Sequence, residues 1–187
     1  MMRLHFTHKL FKGGWSPVVT REVFVRPDAS CVLLFDPWLK RVVLVEQIRV
    51  GALLEERSPW MLELVAGLQE EGEMPEEVAR REAFEEAGAR VNAIKKISVY
   101  YPSPGGCNEK IHLFCGQVDA SELGGIHGLE AEGEDILVRN IKLQDAYSLL
   151  DEGALDNSPV IIALMWLRQH QAQLEEEWGG AISEGSQ

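Results

Sequence analysis

Eight glutamates and no aspartate fall within residues 67–88, GLQEEGEMPEEVARREAFEEAG. Three of them, Glu82, Glu85 and Glu86, crowd into five positions. Pro75 at a favoured first helical position and Gly88 just past the end predict a helix over 75–87. At about 100° per residue the three carboxylates share one face, within an arc of about 100°. Like charges one turn apart repel, at roughly 0.2–0.5 kcal/mol per pair. A solvated acidic face is one reading. The other is a cluster that holds a hard divalent cation, since Mg²⁺ takes oxygen ligands and is commonly bound by one or two carboxylates plus substrate phosphates. The cation would remove the repulsion. Arg81 falls off this face, within reach of Glu77 and Glu85, while Ala79, Ala83, Phe84 and Ala87 cover much of the other side and predict close packing on a sheet.

The elements that must position this helix are short strands. Residues 17–25, 30–36 and 41–50 are rich in β-branched side chains and bounded by Pro, Gly or Asp, with a turn at 35–41. WMLELVAG (60–67) is a further apolar run, 95–101 and 111–118 flank the turn-rich PSPGGCNEK, and 134–141 is the last candidate strand. Two more helices are expected at about 143–152 and 159–177, the second opened by Asn157-Ser158-Pro159 and packed through Ile161, Leu164, Met165 and Leu167. Strands with one central helix and helices at the end predict an α+β fold with a mixed sheet.

Composition narrows the function. The 187 residues carry a net charge of −12, which disfavours nucleic acid and anionic membrane as partners while leaving room for a local basic pocket. No apolar run approaches the roughly 20 residues that span a bilayer. Cys31, Cys107 and Cys115 form an odd set without metal spacing, as expected of reduced thiols in a cytoplasmic protein. Cys31 and Cys115 lie in apolar runs and are expected in the core. Residues 179–187 are polar and Gly/Ser-rich and read as a flexible tail.

Gly67, Glu73, Arg81-Glu82, Glu85-Glu86 and Gly88 stand at the spacing of the Nudix box, G-x5-E-x7-R-E-U-x-E-E-x-G-U, and the chain resembles that family. Seven fixed positions agree, which ordinary residue frequencies give about once in 10⁸ start positions. The two U positions hold Ala83 and Ala89, smaller than the usual residue. The resemblance implies an α/β/α sandwich, with a loop–helix–loop that binds Mg²⁺ or Mn²⁺ for hydrolysis of a nucleoside diphosphate linked to another group. VEQIR, ELVAG, IHGLEAEGEDI and Pro104, fifteen residues past Ala89, are similar to the dimeric bacterial ADP-ribose pyrophosphatases.

The resemblance also implies roles. Glu82 and Glu86 would hold the cation, with Glu85 as a further ligand or catalytic acid and the carbonyl of Ala66 completing the shell. The glycine-rich loop 124–136 would close over the site as a lid, its Glu132 acting as general base, with Glu130 and Glu134 as alternatives and His127 structural. Ser103 and Pro104, in the SPGG turn, would contact substrate. Gln47 and Arg49 alternate on one strand face and so are candidates to meet a diphosphate, as is Arg21 on the first strand; each also reads as an ordinary strand residue. The expected organisation is an N-terminal strand region over 1–28 that pairs subunits into a homodimer, a hydrolase domain over 29–178, and the tail. That subfamily carries a longer N-terminal arm, which leaves base recognition open. GDP-mannose or another nucleotide sugar is the alternative substrate, and a non-catalytic ADP-ribose-sensing domain the alternative class.

Overall fold

The computed structural model describes residues 1–54, 56, 58–129 and 133–179. Its centre is β3 (Ala29–Asp36), buried at every position because strands flank it on both sides. It runs parallel to β8 (Ile111–Gln117) and antiparallel to both β4 (Arg41–Ile48) and β6 (Val65–Leu68). The main sheet runs β7–β8–β3–β4–β10–β9, where β7 is Ala93–Tyr100, β9 is Gly125–His127 and β10 is Ile136–Lys142. One parallel pair among antiparallel ones makes the sheet mixed, as the element order predicted.

Strand alternation divides the core in two. Cys31, Leu33 and Phe35 pack toward α2 (Leu143–Asp151) and α3 (Ser158–Gly179), against Leu164, Leu167 and Leu174. Val32 and Leu34 point the other way, onto Ala79, Ala83 and Ala87 of α1 (Pro75–Ala87). The result is helix, sheet, helix, an arrangement that covers both apolar faces of the strands. Cys31 and Cys115 are buried, as expected. No described helix is long and apolar enough to cross a bilayer.

The structure differs from the sequence reading in four places. The run 60–67 is two strands, because β5 (Trp60–Glu63) pairs with β4 while β6 pairs with β3. Phe84 is exposed, since it lies about 140° round the helix from Ala79, and Met165 of α3 is also exposed. The N-terminal region contains an unforeseen strand, β1 (Met2–Phe6), paired with β2 (Val19–Val23) in a two-stranded sheet of its own. Part of the segment expected to be a mobile loop over 124–136 is strand β9, held antiparallel to β10.

Candidate active site

Helix α1 is positioned from both ends. At its start the Met74 N–H donates to Glu77 Oε2 at 3.2 Å, occupying the acid that Arg81 was expected to reach. At its end Gly88 takes φ 63°, and its N–H donates to Phe84 O at 2.9 Å, a left-handed stop that suits glycine. Between them the helix lies so close to β6 that a Cβ at Gly67 would sit 1.8 Å from Glu82 Oε1. The Glu82 carboxylate therefore rests on bare backbone. The neighbouring Ala66 N–H donates to Glu86 Oε2 at 3.1 Å.

The three glutamates are graded in depth by helix geometry. Glu86 falls among the buried alanines and is 4% exposed. Glu82 is on the flank and Glu85 further out, with side chains 14% and 33% exposed. Burial pushes the Glu86 carboxyl up to about 8, against the pull of the Ala66 N–H. Burial also raises the Glu82 carboxyl, opposed by Arg81. A cation at this place would favour both ionised forms.

Arg81 is where the repulsion is offset: its expected reach to Glu85 holds, while Glu73 and Glu82 take the place expected of Glu77. Its Nη1 donates to Glu82 Oε1 at 2.7 Å and to Glu85 Oε2 at 3.2 Å, and its Nε and Nη2 each reach Glu73 at 3.2 Å. Three acids of the motif thus share one guanidinium, whose own pKa is raised, chiefly by Glu73. Among the described residues no three carboxylate, imidazole or thiol side chains form a ready-made cation shell. The set is nonetheless all oxygen, with one buried and one half-buried carboxylate beside a strand backbone, and it suits a hard cation that draws its remaining ligands from water and substrate.

This acidic cleft, about 670 Å³, is lined by Gly67, Glu82, Glu85, Leu129 and Glu134, among others. Glu134 is tied to Leu129 twice: its Oε2 accepts the Leu129 N–H at 3.0 Å, and its own N–H donates to Leu129 O. Glu130 and Glu132 lie outside the described residues. A second cavity, about 470 Å³, opens on the α3 side and is lined by Cys31, Arg49, Glu63, Leu64, Ile111 and Asn157, among others. Ala66, Gly67 and Leu68 border both, so the two meet across β6.

The remaining expected residues divide. Arg49 lines the second cavity, just past the end of β4, where its N–H donates to Pro59 O. Gln47 does not accompany it: it is 8% exposed, and its Nε2 has no partner among the described residues. The strand ends at Ile48, which breaks the alternation that would have kept the two side chains together. Arg21 lies on the two-stranded N-terminal sheet, its Nη1 donating to Thr20 O, and borders neither cavity in this chain. Ser103 and Pro104 sit in an exposed turn closed by Gly106 and Cys107 N–H groups onto Ser103 O, also outside both cavities. His127, expected to be structural, bonds through Nε2 to Gly124 O at 3.0 Å and borders neither cavity. Sequence reasoning missed the Arg26–Glu109 ion pair at 3.2 Å on the cavity wall, and it read Glu63 only as part of ELVAG and Asn157 only as a helix cap, not as wall residues.

The model of the NUDIX domain matches residues 25–178. The chain belongs to the Nudix family. Among curated relatives, ADP-ribose pyrophosphatase of Haemophilus influenzae is 48% identical over 181 residues, covering 95% of this chain and 83% of the relative. ADP-ribose pyrophosphatase of Escherichia coli K12 is 47% identical over 173 residues, covering 92% and 83%. GDP-mannose pyrophosphatase of Cronobacter sakazakii is 37% identical over 153 residues, covering 79% and 77%. The matched region contains every residue that lines either cavity, and the two-stranded N-terminal sheet, which ends at Val23, lies outside it.

The contact between Gly67 and Glu82 gives a direct test of the box glycine. Gly67→Ala should expel the Glu82 carboxylate from its seat and lower hydrolytic activity by about 10²-fold or more, comparable to a 1 Å misplacement at a reacting centre. The mutant should keep its far-ultraviolet circular dichroism. Activity within threefold of wild type would show that this close approach is dispensable.

Proposed function

We propose that the chain hydrolyses the diphosphate of ADP-ribose or a closely related nucleotide sugar, giving AMP and a sugar phosphate. The observation that carries this reading is the junction of the two cavities at Ala66–Leu68. A diphosphate linking two bulky groups needs an acidic, cation-binding cleft beside a second, partly apolar recess, and the names of the relatives with the highest identity given above agree. Mg²⁺ or Mn²⁺, held by Glu82 and Glu86 with Glu85 and the Ala66 carbonyl as further donors, would neutralise phosphoryl charge and acidify a bound water. Arg81 holds Glu82 and Glu85 in place, and Arg49 offers positive charge from the recess. A sensing domain without catalysis is the weaker reading, because every acid of the box is retained.

GDP-mannose is the second substrate reading, carried by the relatives of that name. A hydrolysis panel of ADP-ribose, ADP-glucose, GDP-mannose, NADH and 8-oxo-dGTP, each with Mg²⁺, Mn²⁺ or EDTA, separates the two. ADP-ribose should be among the best by kcat/KM and inert in EDTA. GDP-mannose ahead by tenfold, about 1.4 kcal/mol in transition-state stabilisation, would reassign the substrate.

We assign the general base to Glu132. The box acids are committed to a cation, which weakens their basicity, so a separate carboxylate must accept the proton of the attacking water. Glu134, two residues on, already borders the acidic cleft, and its carboxylate is engaged by Leu129. Glu132→Gln should lower kcat by about 10²–10⁴ with substrate affinity little changed, and Glu134→Gln should cost less. The reverse order would move the base to Glu134.

A homodimer completes the reading. Met2, Leu4 and Phe6 are exposed on β1, and Trp15 and Val18 beside it, which leaves an apolar two-stranded edge for a second copy to cover. Light scattering should give twice the chain mass of 20.9 kDa at micromolar concentration, and the single-chain mass would refute the dimer.

A further inference from the structure

Glu63 ends β5 and is 4% exposed, yet its carboxylate borders the recess. Its two oxygens have different partners. Oε2 accepts from Arg49 Nε at 2.6 Å, and Oε1 accepts from Asn157 Nδ2 at 2.5 Å. Asn157 immediately precedes α3, and its carbonyl accepts the Ile161 N–H at 3.3 Å, which ties it to the first turn of that helix. Arg49, Glu63 and Asn157 all line the same recess.

The arrangement has a direction. A buried carboxylate is costly unless its oxygens are satisfied, and here burial raises the Glu63 carboxyl while Arg49 and Asn157 pull it down. Asn157 fixes one oxygen from the helix side, and the other then meets the guanidinium in a set orientation. An arginine held by its Nε keeps the N–H groups of both terminal nitrogens for a further acceptor. The Arg49 side chain is 42% exposed, so those groups are open to an anion entering the recess. The cost of ordering a long flexible side chain is then met in folding instead of on binding.

We propose that Glu63, anchored by Asn157, is a positioning residue that presents the Arg49 guanidinium to the anionic part of the substrate. The inference rests on the reading of a diphosphate substrate given above. It makes a second layer of the site from residues on β5 and at the start of α3, none of which belongs to the Nudix box.

A purely structural ion pair would have different consequences, and a double-mutant cycle separates the two. Steady-state kinetics with ADP-ribose and Mg²⁺ are compared for wild type, Glu63→Gln, Arg49→Ala and the double variant, with melting temperatures alongside. Glu63→Gln keeps an acceptor for Asn157 but turns an amide toward Arg49. It should raise KM about tenfold with a smaller change in kcat, and should change KM by less than twofold when Arg49 is already alanine. Asn157→Ala, which leaves the ion pair itself intact, should raise KM by a smaller factor that also vanishes in the Arg49→Ala background, and it serves if Glu63→Gln does not fold. Equal effects of the Glu63 or Asn157 change with and without Arg49 would overturn the inference alone. An unchanged KM in Arg49→Ala would overturn it too, by removing the arginine from the substrate. A wild-type protein that turned over no diphosphate would overturn the functional reading and this inference together.

Discussion

The contact between the Glu82 carboxylate and the bare backbone of Gly67 sets how closely α1 and β6 approach, and much of the site depends on that distance. The approach is possible because α1 presents Ala79, Ala83 and Ala87 to the sheet, all fully buried. Larger residues would hold the helix further off, since interiors are packed too tightly to absorb extra methylenes without displacement. At this separation Glu86 reaches the Ala66 N–H, and two carboxylates stand against one strand. The small residues at the box's apolar positions and the glycine on the facing strand are parts of one steric solution.

Bringing acids together on a buried helix face creates an electrostatic cost, and the fold offsets it locally. Arg81 is shared by Glu73, Glu82 and Glu85, while Glu77 is used to cap the helix start. Glu86, the deepest, has no guanidinium and meets its burial with a backbone N–H and a raised pKa. Glu86, the deepest of the three, is thus the acid whose charge is least compensated by protein, where a cation gains most. The recess across β6 repeats the principle with opposite sign: Arg49 stands at a wall whose buried carboxylate, Glu63, holds it.

The sequence by itself determined the helix 75–87, the acidic face, and the order of strands and helices, and hence the α+β class. These are legible because they depend on local periodicity and on residues within one or two turns. The box spacing carried the family with it, since a loop and one helix supply every member of the motif. Phe84 and the Glu77 half of Arg81's expected reach were misplaced from sequence alone for the same local reason: helical angle gives a direction, but not which neighbours a side chain can reach or whether a flank is covered.

Tertiary structure decided everything that depends on two distant segments meeting. It ended β4 at Ile48 and so parted Gln47, turned into the protein, from Arg49, on the cavity wall. It split 60–67 between two strands, which put Glu63 beside Arg49 and Ala66 beside Glu86. It brought Asn157 from 94 positions away onto the Glu63 carboxylate. No sequence period encodes such a contact, because it arises only when the sheet's twist and the packing of α3 fix where the two chain segments come together.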